Sequence, residues 1–148
     1  MKFLLDTNVI STLAPSNKER AEALADWFHS ASDRLYLSVV TVAEIKDGIA
    51  KLTREGASQK AAALSDWWNA VEHLYASRIL PFDLSAATIA GRLNDIARGA
   101  GHTPGFADVA IAATAQAHDL IILTRNVRHF APMGIRVINP FDGLPSIS

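Results

Sequence analysis

The sequence predicts an α/β protein, a mainly parallel sheet covered by helices on both faces. Three observations carry that prediction. Short apolar segments rich in strand-forming residues recur along the chain: KFLLDT, LYLSVVT, RILPFD, LIILTR and RVINP. Stretches with helical periodicity separate the first four, and strands alternating with helices imply a parallel sheet. With 148 residues, 49% of them hydrophobic, the chain is long and apolar enough for one buried core, so residues 1–148 read as a single domain.

Taken in order, Phe3, Leu4 and Leu5 open the first strand, and a carboxylate, Asp6, stands at its tip. Val9 and Ile10 resume the apolar run in a short helix that Pro15 closes. Ser16-x-x-Glu19 reads as a capping box opening the ERAEALADWF helix. LYLSVVT is the second strand, followed by a helix through TVAEIKDGI. Leu64, Trp67, Trp68, Val71, Leu74 and Tyr75 share one face of the next helix. RILPFD is the third strand, and its Asp83 is an N-cap for a helix whose apolar face is Ala86, Ile89, Ala90, Leu93 and Ala97. GAGHTPG is the clearest loop. GFADVAIAATAQA is a helix almost wholly apolar apart from Asp108, LIILTR is the fourth strand, and RVINP the fifth.

Composition excludes several classes. No apolar run approaches the roughly 20 residues that span a bilayer. The apolar part of the N-terminus is too short for a signal peptide, and no small-residue cleavage site follows it. The absence of cysteine rules out disulfides and thiolate metal sites and favours a reducing, cytoplasmic location. Net charge is −1. Nucleic acid would therefore have to be held through a local basic patch or through metal ions.

Ligand sites in open parallel sheets lie beyond the carboxyl ends of the strands. Asp6 ends the first strand, Glu44 follows the second, Asp108 stands near the start of its helix, and Thr124, Arg125 and Asn126 end the fourth strand. Each has an ordinary explanation. Asp6 can accept bonds from the turn that follows it. Thr41-x-x-Glu44 is itself a capping box. Asp108 can be a first-turn acid favoured by the helix dipole, although its neighbours Phe106, Ala107, Val109, Ala110 and Ile111 suggest burial. Together the ordinary explanations weaken. Three carboxylates at one edge repel one another, and folding alone does not favour that; a hard divalent cation does. The chemistry this predicts is metal-assisted attack of water on a phosphodiester.

LLDTNVIS, SVVTVAEIKDGI, FADVAIAATA and LTRNVRHF resemble, in order, the four motifs of PIN-domain ribonucleases. The resemblance is closest to the VapC toxins of bacterial toxin–antitoxin pairs, in particular their FitB-like branch. It implies a three-layer α/β/α sandwich, a Mg²⁺- or Mn²⁺-dependent endoribonuclease, an RNA substrate, a homodimer and a cognate antitoxin protein. By motif, Asp6, Glu44 and Asp108 fall on the acidic metal positions, Asn8 on the polar partner of the first acid, and Thr124 on the hydroxyl near the site. Asn126 stands where many members place a fourth acid, and His129 where a further acid often occurs. Asn126 can bind a metal through its carbonyl or orient a water, more weakly than a carboxylate, which implies a one-metal resting site. Lys46, Arg125 and Arg128 are candidate RNA contacts, with Lys51 and Arg54 on the helix that carries Lys46. A solvated loop charge and a packing histidine are the plain alternatives for Arg125, Arg128 and His129.

Two other functions compete. One is a non-catalytic PIN-like module that binds RNA or antitoxin, having lost turnover with the fourth acid. The other is a phosphatase with Asp6 as nucleophile, disfavoured because such enzymes usually carry a second Asp where this chain has Asn8. Trp27, Phe28, Trp67, Trp68 and Tyr75 exceed what a small core readily absorbs, so part of that aromatic surface is expected at a dimer interface or in a groove for a partner helix.

Overall fold

A computed structural model describes residues 1–15, 17 and 22–147. Its strands are β1 (Phe3–Leu5), β2 (Leu35–Ser38), β3 (Ile79–Leu80), β4 (Ile121–Leu123) and β5 (Val137–Ile138). They form one sheet in the order β3-β2-β1-β4-β5, and every pairing is parallel. β1 lies at the centre, with Phe3 opposite both Leu35 and Ile121. A central strand in a covered sheet must be apolar on both faces, and all three β1 residues are fully buried.

The helices are α1 (Thr7–Ile10), α2 (Glu22–Ala31), α3 (Val39–Arg54), α4 (Ser58–Tyr75), α5 (Leu84–Gly99), α6 (Phe106–Ala117) and α7 (Val127–Phe130). Alternate strand residues divide the core between the two sheet faces. Phe3, Leu5, Leu35, Leu37, Ile121 and Leu123 pack with Leu24, Trp27 and Phe28 of α2, Ile45 of α3, and Trp68 and Tyr75 of α4. Leu4 and Ile122 face the other way, onto Leu93 and Ala97 of α5, Ile111 of α6 and Phe130 of α7. The result is the expected three-layer α/β/α sandwich. Among the described residues, no helix is long and apolar enough to cross a membrane.

The structure corrects several local expectations. Val39, Val40 and Thr41 belong to α3, not to the second strand, because the Ser38 hydroxyl caps the helix by accepting from the Val40 amide at 3.0 Å. Thr41 is thus inside the helix, and Thr41-x-x-Glu44 is not a capping box. Leu74 is 60% exposed and leaves the buried stripe of α4. Trp27, Phe28, Trp68 and Tyr75 are buried within this one chain, and Trp67 is half-buried against the same cluster, so the core absorbs the aromatics after all. Part of that capacity comes from the C-terminal segment, where the Pro145 carbonyl accepts from Trp27 Nε1 at 2.9 Å. Phe106 is exposed, so only the later neighbours of Asp108 are buried. Asp83 caps α5 as expected, accepting from the Ala86 amide at 3.0 Å. The Ser16–Glu19 box lies outside the described residues.

Candidate acidic active site

The site is built where β1 and β4 end side by side. The Asp6 amide donates to the Leu123 carbonyl at 2.9 Å, which carries the ladder one residue past β1 and fixes Asp6 at the sheet edge. Its Oδ1 accepts from the Thr7 amide at 2.8 Å, so Asp6 does cap α1. Its Oδ2 accepts from the Thr124 hydroxyl at 2.8 Å and from Asn8 Nδ2 at 3.3 Å. That second oxygen goes beyond the turn explanation, since it draws on Thr124 at the end of β4 as well as on Asn8 of α1. Burial pushes the Asp6 carboxyl above its ordinary pKa, the bonds from Thr124 and Thr7 pull it back, and the charges of Asp108 and Glu44 raise it further.

Thr124 is fully buried behind Asp6. While donating to Asp6, its oxygen accepts from the Asn126 amide at 2.9 Å, which turns the chain out of β4 toward α7. Asn8 Oδ1 in turn accepts from the Arg125 amide at 3.2 Å. Sequence reasoning did not single out Thr7 for the site. Its hydroxyl lies 2.6 Å from Glu44 Oε1 and 3.0 Å from the Thr41 hydroxyl. A carboxylate can only accept, so the Thr7 proton points to Glu44, and Thr41 supplies the other bond. The signal was legible in the DTN triplet, where Thr7 separates two residues already assigned to the site.

Asp6, Thr7, Asn8, Glu44, Asp108, Asn126 and His129 line one open cavity of about 480 Å³, with Gly105 and Ala107 completing its wall. Asp108 projects from the first turn of α6, and His129 Nδ1 stands 3.3 Å from its Oδ2. His129 is therefore a site residue and not simply a packing one. Lys46, Arg125 and Arg128 do not line this cavity. The Arg125 guanidinium lies over the Phe141 ring, 4.0 Å from its centroid. Arg128 borders an adjoining cavity.

The donor set is carboxylate, amide carbonyl and hydroxyl oxygen, which suits a hard cation such as Mg²⁺ or Mn²⁺. Among the described residues, no three Asp, Glu or His side chains form a ready-made cage for an ion. An ion held there would have to keep part of its water shell beside the carboxylates, as Mg²⁺ readily does. The residues fit the ion on those terms.

Comparison with known proteins gives the family. Residues 3–134 match the PIN domain family model. The chain is 38% identical over 141 residues to the toxin FitB of Neisseria gonorrhoeae, covering 94% of this chain and 98% of that protein. It is 36% identical over 141 residues to the VapC ribonuclease Y4jK of Sinorhizobium fredii, covering 95% and 98%. Among solved structures, FitAcB from Neisseria gonorrhoeae superposes with a TM-score of 0.82 at 36% identity, over 94% of this chain and 98% of that one. A toxin–antitoxin complex from Klebsiella pneumoniae superposes with a TM-score of 0.60 at 26% identity, over 94% and 98%. The chain belongs to the PIN-domain family. Within that family its relatives include a VapC ribonuclease and the toxin FitB.

Proposed function

We propose that this protein is a Mg²⁺-dependent endoribonuclease, with Mn²⁺ as the alternative ion, acting as the toxin of a toxin–antitoxin pair. The observation that carries this reading is the placing of Asp6, Glu44 and Asp108 around one cavity at the sheet edge, where Asp6 is buried and feels both other charges. Asp6 and Asp108, with Glu44, would hold the cation. Bound there, the ion would polarise the scissile phosphoryl group and favour ionisation of the attacking water.

The chain's own residues do the positioning. Thr124, Asn8 and the Thr7 amide lock the Asp6 carboxylate in one orientation, and Thr7 steers Glu44. Asn126 presents an amide to the cavity that can orient water or substrate. His129 holds Asp108 aligned while the ion is absent. The toxin names among the relatives support a cytoplasmic protein with a cognate antitoxin, and the family resemblance supports a homodimer.

The non-catalytic reading draws on one observation, the pairing of Asp108 with His129 where another carboxylate is often found. Purified protein separates the two. RNA cleavage should require Mg²⁺, stop on addition of EDTA, and disappear in Asp6→Asn and Asp108→Asn while circular dichroism stays native. Full activity in either variant, or none in the wild type with Mg²⁺ or Mn²⁺, would sink the enzymatic reading. In cells, expression alone should arrest growth, and Asp6→Asn should be harmless.

A further inference from the structure

A second cavity, of about 270 Å³, adjoins the acidic one and shares Gly105, Asp108 and His129 with it. Its remaining walls are His102, Thr103, Pro104, Arg128 and Pro132. The chemistry changes sign across the shared wall. On one side the groups are carboxylates. On the other, the only carboxylate among the described residues is Asp108, already faced by His129, while Arg128, His102 and Thr103 offer hydrogen-bond donors.

These donors are mounted on fixed backbone. Helix α5 ends in a Schellman turn, with the Gly101 amide on the Arg98 carbonyl at 2.9 Å and the His102 amide on the Ala97 carbonyl at 2.9 Å. Gly101 takes φ +84°, a conformation open to glycine, and it brings His102 back toward α6. Arg128 stands on α7, which is pinned by the fully buried Phe130 and by the His129 amide donating to the Asn126 carbonyl at 2.9 Å.

We infer that this cavity binds the phosphate next to the one being hydrolysed, and so sets the path of the RNA strand past Asp108. The inference rests on the ribonuclease reading of the acidic site. A strand entering an acid-lined centre is repelled except where the cation sits, and a permanently charged guanidinium one step along offsets that repulsion. Arginine also meets phosphate through two parallel N–H bonds, which fixes register as well as charge. The site is blind to base identity, since its donors face the backbone.

Binding of end-labelled oligouridylates of two to five nucleotides to the full chain in EDTA tests this by fluorescence anisotropy. The wild type should show one step in affinity, roughly tenfold, at the length that first places a phosphate in the cavity. Arg128→Ala should lose that step and lower the salt slope by about one. His102→Ala should reduce it, and Arg128→Lys should keep part of it. Lys60→Ala, which removes an exposed charge from α4, should keep the whole step. Inorganic phosphate should compete with the longer oligonucleotides in the wild type and not in Arg128→Ala. A step retained in Arg128→Ala and His102→Ala, or a loss equal to that of Lys60→Ala at every length, would overturn the proposal. So would an Arg128-dependent preference for oligoglutamate over RNA, which would assign the cavity to a protein carboxylate. Cleavage in Mg²⁺ is scored separately. A step without cleavage leaves the subsite standing and removes the ribonuclease, and cleavage without a step does the reverse.

Discussion

The Thr7 hydroxyl lies 2.6 Å from Glu44 Oε1, joining the tip of β1 to the second turn of α3 across 37 residues of sequence. Thr41, one helical turn before Glu44 and fully buried, meets the same hydroxyl. Glu44 itself is exposed, and among the described residues this bond is the one that holds its long side chain over the cavity. Thr7→Val keeps the shape and removes the hydroxyl. Cleavage should fall by roughly 10- to 100-fold, the usual cost of losing a group that orients a ligand, with a stability loss of about 1–3 kcal/mol because the buried Thr41 hydroxyl loses its partner. An unchanged rate in steady-state assays would show that Glu44 needs no such tether.

Asp6 gives a pH prediction. Burial raises its pKa in the folded protein, with Asp108 and Glu44 adding to that, so the native state holds the proton more tightly than the unfolded chain does. The stability this contributes is complete below the unfolded carboxylate value and is lost as pH rises through the folded one. In EDTA, wild type should therefore lose stability relative to Asp6→Asn as pH rises above the ordinary carboxylate value and through the raised one. Urea unfolding at several pH values measures it, and parallel curves would contradict the assignment. Mg²⁺ should raise the wild-type midpoint more than the variant's, because only the wild type gains from binding.

The buried Thr124 hydroxyl donates to the buried Asp6 carboxylate and accepts from the Asn126 amide. Thr124→Val would remove the donor to Asp6 Oδ2 and strand the Asn126 amide. The expected loss is about 1–3 kcal/mol, the cost of unsatisfied buried polar groups. Thr124→Ser should recover most of it in the same unfolding experiment. Equal stability of the valine and serine variants would mean that the hydroxyl is not used.

Asn126 reaches the cavity with a neutral amide. Asn126→Asp would add a fourth carboxylate beside Asp6 and Asp108. It should lower the Mg²⁺ concentration for half-maximal cleavage while lowering stability in EDTA, since a further like charge joins a site already under repulsion. A metal titration that does not move would place Asn126 outside the coordination sphere.

His129→Ala should free Asp108 and leave its charge to the ion alone. The variant should fold, because His129 is exposed, and should show a stronger dependence of melting temperature on Mg²⁺ than wild type. Loss of the metal-induced shift would instead make His129 part of the ion's own surroundings.

The sheet was legible from the sequence because each strand is a short apolar run, fully buried in β1 and β4 and partly so at the edges, and such runs separated by helical periodicity admit few arrangements other than parallel pairing. Asp6 stood out for the same reason. An acid at the end of a run like FLL has no place in the core, so it marks the edge where the strand stops. Glu44 was different: Thr41-x-x-Glu44 satisfied a local capping rule equally well, and the choice fell to Ser38, whose hydroxyl took the Val40 amide and moved the helix start back to Val39. The five aromatics also misled, since the core that absorbs them includes a C-terminal segment reaching back to Trp27 from 118 positions away. His102 and Arg128 come together only because the α5 turn and α7 both pack beside the start of α6. Sequence determines what is settled by burial and by hydrogen bonds between near neighbours. Which side chains share a cavity depends on contacts made across tens of residues, and those exist only once the layers have packed.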